Sequence, residues 1–330
     1  MIFGVIANWI VIVQFNAFDF PLRRSSTFQE DFRNDYVMQI NYTQPDFVLL
    51  GDSALTMVDE ELFHQAMRKP TLVYRVNGSA SAYWYLFLRN QIIPSPTPPA
   101  AVVFVFRTSM LTTPNFRVFG KYLEQIEEIA LPKDKDIYDL TINANKSIVE
   151  RWLESYLPIY AYRSEIYNSL VNFLRNLLPY WWMNCDAECV DDAFEQVYDD
   201  KQINEIMWEA ELANADDSLN QSANLNFDRV VHDSLLPMMI EDCVENGITP
   251  VFVRARHRSH AQGIPDSPSL QAYLSALSSY ILEHGGVYLD LATSWEIMPQ
   301  MFTDNVHLLL EYKPIATRVL ARRILEVLGE

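Results

Sequence analysis

An α/β fold of three layers, built on about five parallel strands, is what the sequence predicts, and three observations carry it. First, five short runs are apolar with hardly a break: residues 47–50, 71–76, 101–106, 249–253 and 287–291. Runs of that length and continuity read as strands buried on both faces, which is how parallel strands sit between helical layers. Second, apolar residues recur at helical spacing in much of the chain between them. Third, the runs end in turn and polar residues: Gly51-Asp52-Ser53, Asn77-Gly78-Ser79, Arg107-Thr108-Ser109 and Arg254-Ala255-Arg256-His257. Sites in open α/β sheets form at those carboxyl ends.

The elements follow in order. Residues 1–15 are apolar with Asn8 and Gln14 as interruptions. Two readings stand open, a packed element of the fold or the tail of a membrane anchor. The run is short of the ~20 residues a spanning helix needs. If it spans, Arg23 and Arg24 favour a cytoplasmic domain after it. Residues 1–27 are therefore set apart, and residues 28–330 are taken as one α/β domain. A mixed helix over 28–42 leads to the first strand. The chain turns at Gly51, exposes Ser53, and enters a helix over 56–67 that Pro70 stops. After the second strand Gly78 is a turn glycine, and residues 81–91 form an aromatic-rich helix. A Pro-rich loop over 93–99 precedes the third strand.

From 116 to about 226 the strand pattern stops. Helical spacing over 148–157 and 166–178, the Pro179-Tyr180-Trp181-Trp182 stretch and an acidic run over 186–211 read as a mostly helical insertion capping the strand ends. Its aromatic residues suit a core better than a ligand groove. The framework resumes with a helix over 227–246, the fourth strand, a helix over 270–284, the fifth strand, and a last helix opening at Pro314.

Composition narrows the function. A net charge of −18 argues against a nucleic-acid partner, whose phosphates need a basic surface. Three cysteines make no disulfide framework, although Cys185 and Cys189 are close enough to pair in an oxidising compartment. No histidine stands near that pair, so metal binding has no support, and no glycine-rich phosphate loop points to a nucleotide cofactor. Against the acidic background, residues 254–260 form the densest positive cluster. It reads either as a solvated loop paired with the acidic insertion, or as a site for an anionic substrate touched by Arg254, Arg256 and His257.

The chemistry lies in two motifs at opposite ends of the chain. Ser53 follows a strand at Gly51-Asp52-Ser53, and Asp304 stands three residues before His307, just ahead of the last helix. A serine nucleophile needs a base, and the base needs an orienting carboxylate. Of the six histidines, His307 alone combines such an Asp with that position.

This pairing resembles the SGNH/GDSL hydrolase superfamily over roughly residues 45–110 and 230–330. The resemblance implies Ser53 as nucleophile, His307 as base and Asp304 as its partner, with the N–H groups of Ser53 and Gly78 forming an oxyanion hole. The family places a Gly-x-Asn-Asp block after the third strand, with its Asn as a further oxyanion donor. This chain has Arg107-Thr108-Ser109 instead, and Arg107 is a candidate substrate contact. The reduced block, the insertion and the apolar start look like the branch of DltD and the alginate acetylation proteins. That branch works beside membrane-bound O-acyltransferases in modifying envelope polysaccharides. The resemblance thus implies an esterase or O-acyltransferase acting on an acylated small molecule or polysaccharide without cofactor or metal. It implies an extracytoplasmic or membrane-associated location, with a cytoplasmic one still open. The contrasting expectation is a catalytically silent module of the same fold that binds a glycan or a membrane partner.

Overall fold

The computed structural model describes residues 2–14, residues 30–163 apart from 120 and 145, residues 166–167, residue 170 and residues 219–329. Contacts divide the chain into two compact units, one of residues 25–144 with 218–330 and one of residues 1–24 with 145–217.

The larger unit is the expected α/β framework. Its sheet has five strands: β1 Phe47–Gly51, β2 Thr71–Arg75, β3 Ala101–Phe106, β4 Thr249–Arg254 and β5 Val287–Asp290. Every pairing is parallel and the order is β2-β1-β3-β4-β5. Strand order reverses between β1 and β3, so the carboxyl end of β1 lies at the topological switch point where doubly wound sheets bind ligands. β1 and β3 are buried throughout, as the continuous apolar runs require.

Alternate residues face opposite layers. Phe47, Leu49, Val103, Val105, Val251 and Val253 join a core with residues of the helices Glu60–Met67 and Lys313–Leu328. Their neighbours face the other way, where Phe104 and Phe252, partners in register, stack at 5.2 Å between ring centroids. The helix Leu236–Glu245 packs on β4, and the helix Pro268–Glu283 on β5.

Local differences from expectation have local causes. The helix after β1 is split: a 3₁₀ turn spans Ser53–Met57 and the α-helix starts at Glu60, because Asp59 caps it by accepting the Leu62 N–H at 3.0 Å. The aromatic helix is α-helical over Ser81–Phe87 and continues as a π-turn over Leu88–Ile92. The stretch expected as one helix after residue 226 forms two, Phe227–Val230 and Leu236–Glu245. The helix Lys121–Ile129 belongs to the framework unit, so the second unit begins near residue 145 rather than 116.

That second unit joins the N-terminal segment to the insertion. Its helix Ile2–Gln14 packs on the helix Pro158–Ala161, where Asn8 Oδ1 accepts the Ile159 N–H at 3.0 Å. Ser147 caps the helix Ile148–Tyr156. Among the described residues no helix is long and apolar enough to cross a membrane. Arg23, Arg24, the Cys185–Cys189 pairing, most of the helix over 166–178, Pro179–Trp182 and the acidic run lie outside the described residues.

Candidate active site

Ser53 opens the 3₁₀ turn directly after β1. It is 8% exposed, more enclosed than a free turn serine would be. The cap of that turn is Asp52, whose Oδ1 accepts the Ala54 N–H at 2.9 Å. Its other oxygen accepts Arg107 Nη2–H at 2.9 Å and lies 3.4 Å from Arg117 Nη1. Asp52 and Arg107 are essentially without solvent contact. A buried charge pair persists only with good geometry and further hydrogen bonds, and this pair has both. Arg107, expected at the substrate, is thus tied to the turn that carries the serine. Arg117 also lies over the rings of Phe116 and Tyr122, at 5.0 and 5.6 Å.

Gly78 follows β2 with φ +81°, and a Cβ there would stand 2.2 Å from Tyr122 Cε1. Its identity therefore has a conformational and a steric cause, independent of any oxyanion role.

The loop before the last helix holds Asp304 and His307 together. His307 Nδ1–H donates to Asp304 Oδ2 at 2.7 Å. Asp304 Oδ1 accepts the backbone N–H groups of Val306 and His307 at 2.6 and 2.7 Å. Burial pushes the Asp304 carboxyl up, but these hydrogen bonds and the His307 ring outweigh it and hold it below the usual carboxylate range. A carboxylate that engages Nδ1 fixes the tautomer and leaves Nε2 for chemistry. Among the described residues no hydrogen bond joins Ser53 Oγ to the His307 ring. Such contacts are often long in free enzymes and tighten on substrate binding.

Asn305, which the sequence does not single out, ties this loop to the loop after β4. Its carbonyl accepts the Arg258 N–H at 2.8 Å and its Oδ1 accepts the Ser259 N–H at 3.1 Å.

The positive cluster after β4 is mostly spent on the protein itself. Arg254, 3% exposed, pairs with Asp266 at 2.7 Å and Asp290 at 3.1 Å. Arg256 donates through Nε to the Ile297 carbonyl at 2.9 Å and through Nη1 to the Ala292 carbonyl. Among the described residues both guanidiniums are engaged by framework groups, so neither is arranged for an anionic substrate. His260 Nδ1 accepts the His257 N–H at 3.1 Å, so its proton sits on Nε2, 3.0 Å from Asp266. His257 itself is buried and stacks on His260 at 5.1 Å. Burial first, then the charges of Arg107 and Arg254, hold its pKa well below the ordinary value, so the ring is neutral. Among the described residues no group of three or more His, Cys, Asp and Glu is arranged to hold a metal ion.

Asp266 makes this network pH-dependent. Burial raises its carboxyl, but hydrogen bonds from His260 and Arg254 win and bring it from 3.8 down to about 2. A carboxylate held below its unfolded value stabilises the fold fully above that value and loses the contribution as pH falls through the folded one. Urea unfolding between pH 5 and 2 should therefore lose on the order of 2 kcal/mol from this group. In Asp266→Asn that part of the slope should vanish. Equal slopes in the two proteins would refute the assignment.

Compared with known proteins, the chain matches no family model, and no curated protein matches it.

Proposed function

We propose that the protein is a serine-dependent ester hydrolase or O-acyltransferase, with Ser53 as nucleophile, His307 as base and Asp304 as the group that orients it. The observation that carries this reading is the Asp304–His307 pair, with Nδ1 engaged at 2.7 Å, on a framework whose switch-point strand ends at Gly51, two residues before Ser53. In the reaction Ser53 Oγ attacks the ester carbonyl while His307 Nε2 takes its proton. The tetrahedral oxyanion is met by the N–H groups of Ser53 and Gly78. Collapse expels the alcohol, protonated by His307, and leaves an acyl-serine. Water or an acceptor hydroxyl, deprotonated by His307, then removes the acyl group.

The resemblance of the reduced block after the third strand, the insertion and the apolar start to the envelope-acylation branch supports an acylated carbohydrate or envelope polymer as substrate. It also supports an extracytoplasmic or membrane-associated setting with a membrane-bound O-acyltransferase as partner. A second reading, a silent binding module, draws on Arg107-Thr108-Ser109 standing after the third strand in place of a block with an oxyanion Asn. A fluorophosphonate probe separates the two: it should form one covalent adduct, at Ser53, in the folded chain. A folded chain that resists the probe at every concentration would sink the catalytic reading.

A further inference from the structure

At the carboxyl ends of β3 and β4, Thr108 Oγ1 and His257 Nε2 are buried without a hydrogen-bond partner among the described residues. Thr108 is 5% and His257 7% exposed. An unmade buried hydrogen bond is costly, so each one calls for an explanation. Thr108 and His257 follow neighbouring strands, two and three residues past the ends at Phe106 and Arg254. Phe106 and Arg254 are partners in register, and the Ala255 N–H donates to the Phe106 carbonyl at 2.9 Å.

Thr108 is unusual in its backbone as well. The Met110 N–H donates to the Arg107 carbonyl at 3.0 Å, closing a turn in which Thr108 has φ +42°. That conformation suits Gly or Asn, and a β-branched residue there is strained. Strain kept at a strand end beside a candidate site points to a use for the side chain.

We propose that His257 Nε2 and Thr108 Oγ1 together bind an uncharged hydroxyl group of the substrate and so determine specificity. This rests on the acyl-transfer reading of Ser53. The His257 ring is neutral, and a hydroxyl both donates and accepts, so it satisfies the ring in either tautomer and the threonine in any rotamer. The guanidiniums of Arg107, Arg254 and Arg256 are engaged by Asp52, by Asp266 and Asp290, and by two carbonyls. An anionic ligand would turn instead to Arg258, part-exposed beside His257.

The test compares kcat/KM on glycerol monoacetate, which carries free hydroxyls, with that on ethyl acetate, which has none. In Thr108→Gly and in His257→Phe the ratio of the two values should fall tenfold or more, and in Thr108→Ser it should be kept. Thr108→Gly relieves the backbone, so its thermal midpoint should hold or rise, which separates lost recognition from lost folding. A ratio that stays at the wild-type value in both variants overturns the proposal. If the fluorophosphonate leaves Ser53 unlabelled, the catalytic reading fails separately, and calorimetry decides the hydroxyl site. Methyl α-glucoside should then bind the wild type and bind Thr108→Gly at least tenfold more weakly. No binding of methyl α-glucoside, or tighter binding of glucuronate, overturns it.

Discussion

Ser53→Ala should reduce turnover of a chromogenic acetyl ester by about a million-fold, as removal of a serine nucleophile does when the other groups act only through it. The fold should hardly notice. The cap of the turn is Asp52 and not Ser53, so the urea midpoint should shift by no more than about 1 kcal/mol equivalent. Asp304→Asn keeps a side chain beside His307 but favours the wrong tautomer, at a loss of about ten-thousand-fold. Combining the two should cost no more than Ser53→Ala alone, because the three groups serve one step. Multiplying losses would mean that Asp304 and Ser53 act independently, and the triad would be refuted even if each single variant were inactive.

The sheet was legible in the sequence because parallel strands are buried on both faces. Val102-Val103-Phe104-Val105-Phe106 has no reason to be apolar at every position unless helices cover both sides of it. The Asp304–His307 pair was legible because three residues of spacing let a carboxylate reach its own loop's backbone and imidazole together. The roles of the arginines were not. A cluster such as Arg254-Ala255-Arg256-His257 reads as a surface for anions when its partners are distant in sequence. Asp266 and Asp290, which consume Arg254, lie 12 and 36 residues away. The division near residue 145 was equally hidden, since nothing in the composition of residues 2–14 says that they pack on the helix Pro158–Ala161. Long-range charge pairing and contacts between distant segments leave no local period to read.

The second large effect follows from one of those hidden pairings. Arg107→Met should cost about 3–5 kcal/mol in urea unfolding, because among the described residues it leaves the buried Asp52 carboxylate the more distant Arg117, at 3.4 Å, as its cation. Asp52→Asn should also be costly, since it takes the carboxylate at 2.9 Å away from the Arg107 guanidinium, which has no solvent contact. The double variant should recover a large part of either loss. Asparagine keeps the side-chain oxygen that accepts the Ala54 N–H, and the Asp52–Arg107 charge pair is then removed as a unit. A coupling of about 0.5–3 kcal/mol is the expected size for two groups in direct contact. Strictly additive losses would refute the charge pair as what holds the turn. Recovered stability should bring back fluorophosphonate labelling of Ser53 with it, because the same carboxylate that meets Arg107 also sets the backbone from which the serine is presented. Stability regained without labelling would mean that Arg107 acts on the reacting groups directly rather than through Asp52.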